Sequence, residues 1–131
     1  MKNVLALDLG RKKTGVALAK QGVIFERPKI EFSHLHQLFA AVKKICREEE
    51  IAEIVVGIPF SEKFPHQARE NQKIARQLQK ETGVPVKLVN EQFTSTEAQR
   101  QLQNQGFSTE EVQRREDSYA ARLILQEYLK K

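Results

Sequence analysis

The sequence has one cysteine, no tryptophan and no long apolar run. A single cysteine cannot form an internal disulfide, and the place of Cys46 in an apolar helical pattern predicts a buried thiol in a reducing compartment. No stretch approaches the roughly 18 apolar residues that a membrane-spanning helix needs. The apolar run at the N-terminus is short and contains Asp8, which is not typical of a signal peptide. These absences predict a cytoplasmic protein that does not bind membranes.

The chain of 131 residues suits one domain, and we predict a single domain over residues 1–131. Hydrophobic residues make up 40% of the chain, which is enough to fill one core, and no repeat or linker interrupts it. The net charge of +5 favours an anionic partner without identifying nucleic acid. Composition leaves the oligomeric state open between a monomer and a weak dimer.

The stretch that organises the chain is the apolar run at residues 4–10, which is followed by Arg11, Lys12 and Lys13. An apolar run of this length is typical of a central strand that is covered on both faces. Asp8, near its end, must be paired, hydrated or bound to metal, because burying a bare carboxylate is costly. Asp8 therefore either shapes the turn, as Asp and Gly commonly do, or belongs to a site.

Hydrophobic periodicity predicts five strands and four helices. The strands fall at about residues 3–8, 14–19, 23 to a boundary near 28, 54–59 and 85–89, and the helices at about 34–49, 67–82, 94–106 and 108 to the C-terminus. A break near residues 115–116 is compatible with the last helical pattern. The first three strands form an antiparallel meander, and right-handed crossovers place the other two beside strand one. The predicted fold is α/β, with sheet order 3-2-1-4-5 and helices on both faces, which is the ribonuclease H-like arrangement.

Local signals mark several boundaries in this scheme. Gln21 and Gly22 predict a tight turn, and Pro28 predicts that strand three ends there or reaches a sheet edge. Ser33 is the predicted N-cap of the first helix, and Gly83 is the glycine that ends the second. Capping-box patterns open the last two helices, at Thr94 with Glu97 and at Ser108 with Glu111.

Three acids stand where the carboxyl ends of the predicted strands converge. Asp8 ends strand one and Glu91 follows strand five, so their backbones are expected roughly 10 Å apart. Strand four lies between them and is predicted to end at Gly57, which has no side chain to obstruct the gap. Asp117 lies on the packing stripe of the last helix and faces the same point if that helix packs beside strand one.

Converging carboxylates repel one another unless cations neutralise them. Oxygen ligands favour Mg²⁺ or Mn²⁺, and two such ions about 3.5–4 Å apart hydrolyse phosphodiesters without a nucleophilic side chain. Asp8, Glu91 and Asp117 are therefore the predicted metal ligands and catalytic residues. Lys12 and Lys13 would then hold phosphates of the substrate, or only balance the acids.

Structural interpretations remain open for these residues. Glu91 also fits a helix-entry acid that backbone amides satisfy, and Asp117 also fits an N-cap for a helix starting at Ser118. A basic stripe recurs at helical spacing on the second helix, at Arg69, Lys73, Arg76 and Lys80. This basic stripe is either a solvated face or a track for phosphates.

At these residues the chain resembles the YqgF-type family of Holliday-junction resolvase-like proteins, also described as pre-16S rRNA nucleases, within the ribonuclease H-like superfamily. Four segments carry the resemblance, at residues 7–17 (LDLGRKKTGVA), 54–59 (IVVGIP), 90–95 (NEQFTS) and 117–125 (DSYAARLIL). The first segment alone is weak, because sugar kinases and actin-like ATPases share its Asp-x-Gly…Thr-Gly phosphate loop. All four in this order over nearly the whole chain are specific.

The resemblance implies a metal-dependent endonuclease for structured nucleic acid, with an acidic site at Asp8, Glu91 and Asp117. The residues expected to contact substrate are Gly10, Lys12, Lys13, Thr14, Gly57 and Thr94. The chain departs from the family pattern at Asn90 and Gln92, where the family usually has an acid and a cation. It also lacks the Asp-Gly pair that the family often has after Pro59.

The leading hypothesis is a Mg²⁺- or Mn²⁺-dependent nuclease that matures the 5′ end of pre-16S rRNA. One alternative is a Holliday-junction resolvase acting on branched DNA. A second is a weakly catalytic, RNA-binding ribosome-assembly factor, which the departures at Asn90 and Gln92 motivate. An actin-like nucleotide-binding fold is a minor alternative, because the chain is too short for two ATP-clamping lobes.

Overall fold

The computed structural model describes residues 2–59, 65–91 and 95–130, with side chains described in these ranges except at positions 59, 65, 90, 91, 95–99 and 113–117. The described elements follow one another as β1 (Val4–Leu9), β2 (Lys13–Lys20), β3 (Val23–Glu31), α1 (Leu35–Glu48), β4 (Glu53–Pro59), α2 (Pro65–Thr82), β5 (Val86–Glu91), α3 (Ser95–Asn104) and α4 (Thr109–Leu129). This is the predicted order. The loop predicted after Pro59 and the capping residue Thr94 lie outside the described residues.

The five strands form one sheet in the order β3-β2-β1-β4-β5. β1 pairs antiparallel with β2, and β2 pairs antiparallel with β3. On its other side β1 pairs parallel with β4, which pairs parallel with β5. The predicted sheet order and the ribonuclease H-like arrangement are confirmed, and β1 is the central strand.

Helices cover both faces of this sheet. The central strand β1 carries apolar side chains on both of its faces, and each set is buried under helices. Leu5 and Leu7 pack with α1 and α2 in the larger core cluster. Val4 and Ala6 alternate with them and pack against α4 on the other face. The buried strand residues of that second face are alanines and valines, and the alanines on β1 and β2 (Ala6, Ala17 and Ala19) let α4 approach these strands closely.

The β2–β3 hairpin has the predicted turn, but β3 is longer than predicted. Gln21 and Gly22 both have positive φ, of 53° and 82°, as a tight hairpin turn requires. β3 continues through Pro28 to Glu31, so the predicted boundary at Pro28 is wrong. The strand tolerates Pro28 because it lies at a sheet edge and at a register shift opposite Gly15, where one extra residue bulges from β3.

Helix α1 begins one residue later than Ser33 predicted. His34 is the N-cap residue in extended conformation, and the helix starts at Leu35. The Gln37 side chain reaches back, and its Oε1 accepts hydrogen bonds from the backbone N–H of Ser33 at 2.7 Å and of His34 at 3.2 Å. Cys46 on this helix is buried as predicted, and burial raises the pKa of its thiol from 9.0 to about 11.

Helix α2 ends as predicted and α4 does not break. Gly83 follows α2 with a φ of 73°, the left-handed conformation of a C′ glycine. α4 runs unbroken from Thr109 to Leu129, with the Ser108 hydroxyl accepting from the N–H of Glu111. Asp117 is therefore inside the helix, and its interpretation as an N-cap is wrong.

In the described ranges no helix is long and apolar enough to cross a membrane.

Candidate active site

Asp8 lies near the carboxyl end of the central strand, and glycines flank it on both sides. It is partly buried and opposite Gly15 of β2. Gly57 of β4 lies one residue beyond the pair of Leu7 with Val56, and so stands beside Asp8 on the other side. The row across the sheet at Asp8 therefore carries no neighbouring side chain on either adjacent strand. A ligand can approach the carboxylate there.

This row lies on the face of the sheet that α4 covers. Asp8 alternates with Leu7 and is in phase with Val4 and Ala6, which pack against α4. β4 continues past Gly57 to Pro59, as the apolar run at residues 54–59 predicts, and the expectation that it ends at Gly57 is wrong. Gly57 is an interior position of β4, where it still leaves space beside Asp8.

Glu91 is the last residue of β5, and its backbone position relative to Asp8 follows from the strand register. Gly57 pairs with Val89, and Glu91 pairs with Pro59, two residues further toward the carboxyl edge. Two strand spacings and two residues of rise put the Cα atoms of Asp8 and Glu91 about 12 Å apart, slightly more than predicted. Because Val89 belongs to the cluster under α4, alternation puts position 91 on that face too.

Asp117 is brought toward the same edge by its neighbour Ser118. The Ser118 hydroxyl donates to the carbonyl of Arg27 at 2.5 Å and accepts from the N–H of Val16 at 3.4 Å. Val16 follows Gly15, the residue opposite Asp8. The backbone of Asp117 is therefore anchored over β2 on the face and at the level of Asp8.

The structure thus brings the backbones of the three predicted acids to one face and one edge of the sheet. The side chains of Glu91 and Asp117 are outside those described. Among the side chains that are described, no three His, Cys, Asp or Glu residues are grouped to hold a metal. The metal-binding and catalytic roles of the three acids stay predictions.

The turn after β1 carries the predicted cations. Arg11, Lys12 and Lys13 are exposed, and the carbonyl of Lys12 accepts from the N–H of Phe32 at 2.9 Å. Lys12 and Lys13 line a cleft of about 660 Å³ with the end of β3 and the start of α1. Position 13 is in phase with Gly15, and so belongs to the face of Asp8. This edge combines acids with cations, as a site for phosphates would.

Gly10 and Thr14 shape this turn from inside. A Cβ at Gly10 would lie 2.5 Å from the carbonyl oxygen of Lys13, so only glycine fits the close approach. Thr14 is fully buried, and in the part of the chain that the structure describes its hydroxyl has no hydrogen-bond partner. It is in phase with Val16, which packs toward α1 and α2, so the structure does not bring Thr14 to Asp8. This burial argues against direct contact between Thr14 and a substrate.

Two residues that build this site are not among the site residues predicted from the sequence. Strand pairing places Gly15 directly opposite Asp8. The hydroxyl of Ser118 ties α4 to β2 and β3. The signal for Gly15 was available, because a glycine opposite an acid follows from the hairpin register. No local signal identifies the role of Ser118.

Comparison with known proteins finds relatives that match nearly the whole chain. A family model described as "RuvX: Holliday junction resolvase" matches residues 2–131. A protein of Anaeromyxobacter sp. named "Putative pre-16S rRNA nuclease" is 37% identical over 129 residues, which cover 95% of this chain and 94% of that protein. A protein of the same name from Picosynechococcus sp. is 33% identical over 95% of this chain and 90% of that protein.

Solved structures show the same fold at low sequence identity. The Thermus thermophilus RuvC structure matches with a TM-score of 0.53 and 11% identity over 96% of both chains. T. thermophilus RuvC in complex with Holliday junction substrate matches with a TM-score of 0.56 and 10% identity over 97% of this chain and 96% of that one. At these identities the likeness is one of fold.

Proposed function

Because the chain belongs to the RuvX Holliday junction resolvase family, we propose that it is a divalent-metal-dependent endonuclease that hydrolyses phosphodiester bonds of structured nucleic acid. The name of the relatives favours pre-16S rRNA as the substrate. We propose that the reaction matures the 5′ end of this RNA in ribosome biogenesis. The observation that supports the proposal is that the backbone positions of residues 8, 91 and 117 lie at one edge of the sheet. We place this activity in the cytoplasm, in keeping with the single buried thiol.

The donor chemistry of these three positions fits Mg²⁺ or Mn²⁺. All three are carboxylates, and none offers the sulfur or imidazole that zinc commonly takes. Asp8, Glu91 and Asp117 would hold the metal. When bound, the metal supplies a water nucleophile of lowered pKa and charge stabilisation at the leaving oxygen.

The protein itself contributes access, charge and position. Gly15 and Gly57 keep the row beside Asp8 clear, so a phosphodiester can reach the carboxylate. Arg11 and Lys13 stand at the same edge and offset the negative charge of the nucleic acid backbone. Ser118 fixes α4 on the sheet through hydrogen bonds to β2 and β3, the strands beside β1 and at the sheet edge.

Branched DNA is the second candidate substrate. The family is described by its Holliday junction resolvase activity, and the fold matches RuvC. Both substrates present a kinked or unpaired segment beside a duplex. They differ in the 2′-hydroxyl, which a site can read directly.

Cleavage of a precursor 16S rRNA 5′ fragment and of a four-way DNA junction in Mn²⁺ tests the proposal. We expect wild type to cut the RNA faster, and Asp8→Asn to cut neither. Glu81→Gln is a matched control, because it also changes one acid to its amide but at an exposed position of α2. Faster cleavage of the junction would indicate branched DNA as the substrate. Equal activity of Asp8→Asn and wild type would refute the proposed function.

A titration with Mn²⁺ distinguishes the nuclease from an RNA-binding assembly factor. If the protein is the proposed nuclease, we expect wild type to bind Mn²⁺ and Asp8→Asn to lose that binding. Absence of binding to wild type at millimolar Mn²⁺ would favour the assembly factor.

A further inference from the structure

We propose that a cleft between α2 and β5 is a second contact site for nucleic acid, which holds an unpaired base of a single-stranded segment and its neighbouring phosphates. We call it the α2–β5 cleft; Ala75, Val86 and Leu88 form its apolar floor, and Arg76 and Lys80 its cationic rim. The inference rests on the proposed function in taking RNA as the ligand.

The cationic part of this surface is the basic stripe of α2. Arg69, Lys73, Arg76 and Lys80 are all exposed, and their spacing puts them on one side of the helix. Eleven residue steps separate Arg69 from Lys80, which is about 16 Å of helix. Among the described residues none of the four takes part in an ion pair, whereas Lys44 on α1 pairs with Glu48 at 3.9 Å. A row of cations without acidic partners favours a track for phosphates over a self-neutralised surface.

The apolar floor lies directly beside this stripe. Leu88 is 48% exposed on the edge strand β5, and Val86 is partly covered. The cleft has a volume of about 250 Å³, which is room for one base and its sugar. An apolar floor under a rim of two cations fits a ligand with a flat apolar face and an adjoining negative charge. An unpaired nucleotide has both parts, whereas the bases of a duplex are stacked inside it.

The cleft is held in shape by a contact between its two walls. The Gln79 side-chain oxygen accepts a hydrogen bond from the backbone N–H of Val86 at 2.9 Å. This bond joins the C-terminal half of α2 to the first residue of β5. The floor is therefore presented by two elements of fixed separation, and a bound base would not have to open it.

The α2–β5 cleft is close enough to the candidate active site to serve the same strand of nucleic acid. Leu88 precedes Glu91 by three residues, which is roughly 10 Å along β5. Leu88 and Glu91 lie on opposite faces of the sheet, but β5 is an edge strand. A single strand can pass around this edge from the cleft to the acids. The cleft would then hold the unpaired flank of a cleavage site.

Binding of a fluorescent ten-nucleotide single-stranded RNA, measured by anisotropy in EDTA, tests the cleft without cleavage. Arg76→Gln/Lys80→Gln is compared with Lys43→Gln/Arg47→Gln on α1, which removes the same two residue types at the same spacing from exposed positions. The first variant should weaken binding about tenfold and lower the salt slope by about 1.4, because each phosphate contact on a single strand contributes about 0.7. The control should match wild type.

The floor is tested by Leu88→Ser against Val23→Ser, an exposed apolar residue of the opposite edge strand. Leu88→Ser should weaken single-stranded binding about fivefold and leave binding of a duplex of equal length unchanged, since only an unpaired base reaches the floor. Val23→Ser should change neither. Thermal unfolding confirms that each variant is folded.

Equal losses in the two double variants would overturn the proposal, because charge alone would then explain binding. A Leu88→Ser effect on the duplex as well, or full displacement of the RNA by polyglutamate at equal charge, would also overturn it. The assay does not depend on metal or on Asp8. If the RNA binds through the cleft but the protein does not cleave in Mn²⁺, the proposed function is refuted and the cleft is supported. If the cleft variants bind and cleave as wild type does, the proposed function is supported and the cleft is refuted.

Discussion

The hydroxyl of Ser118 donates a hydrogen bond of 2.5 Å to the carbonyl oxygen of Arg27, 91 residues away in the chain. The extra residue of β3 near Pro28 breaks the ladder between β2 and β3 at this point, and the hydroxyl takes the place of the missing strand partner. A bulge at the sheet edge thereby becomes the attachment point of α4. The position of Asp117 depends on this bond.

Ser118→Ala should destabilise the protein by about 1–3 kcal/mol, because the buried N–H of Val16 and the carbonyl of Arg27 lose a partner. Urea unfolding measures this loss. Ser33→Ala is the control, since Ser33 is exposed and its substitution should cost less than about 0.5 kcal/mol. An equal cost for the two variants would show that the hydroxyl bridge is not stabilising. We also expect Ser118→Ala to reduce cleavage, because α4 and Asp117 lose their anchor.

Glu91→Asp should impair cleavage almost as severely as Glu91→Gln, although it keeps the charge. The backbone distance of about 12 Å to Asp8 requires the longer side chain at position 91. Shortening it by one methylene moves the carboxylate by more than 1 Å, which can cost about a hundredfold in rate. Single-turnover cleavage in Mn²⁺ measures the effect. Wild-type rates in Glu91→Asp would contradict the position inferred from the strand register.

Substitutions of Gly10 and of Gly83 should both lower stability, but for different reasons: a steric clash at Gly10 and a positive backbone φ at Gly83. A Cβ at position 10 would lie 2.5 Å from the carbonyl oxygen of Lys13. A Cβ at position 83 would have no atom within 4 Å, but the new side chain would have to adopt the backbone φ of 73° that Gly83 has. Asn adopts positive φ more readily than Ala does. Gly83→Asn should therefore be milder than Gly83→Ala, while Gly10→Asn and Gly10→Ala should both cost about 1–3 kcal/mol. Urea unfolding of the four variants separates the two causes, and a mild Gly10→Asn would contradict the clash.

Tyr128 should make stability fall at alkaline pH. The hydrogen bond from its hydroxyl to the buried carboxylate of Glu53, aided by burial and by the charge of Glu53, raises the pKa of Tyr128 from 10.0 to about 12. A group whose pKa is raised by folding contributes its full stability below its unfolded pKa and loses it as pH rises toward the folded one. The stability difference between wild type and Tyr128→Phe should therefore be constant below pH 10 and shrink between pH 10 and 12.

Denaturant unfolding at several pH values measures that difference, and the effects of Tyr119 and of the lysines cancel because both proteins share them. Below pH 10 we expect Tyr128→Phe to be less stable by about 1 kcal/mol. A difference that stays constant up to pH 12 would show that Tyr128 does not donate to Glu53.

The order of elements and the sheet order were predictable, because both rest on local patterns. The continuous apolar runs of β1 and β4 indicate strands buried on both faces, and the helix between them requires a parallel crossover. The placement of Asp8 and Glu91 at the carboxyl edge follows from the same patterns. The bulge near Pro28 and the N-cap at His34 were not predictable, because pairing with β2 and the reach of Gln37 override the local preferences of Pro28 and Ser33.

By itself the sequence determined which segments are strands and helices, how they are connected, and that Asp8 lies near the carboxyl end of the central strand, since hydrophobic periodicity and turn chemistry act over a few residues. Tertiary structure alone decided that β3 bulges opposite Gly15, that Thr14 is buried on the far face, and that Ser118 anchors α4 at that bulge. These relationships depend on strand register and on one hydrogen bond across the chain. A shift of one residue in that register would turn every side chain of the strand to the opposite face.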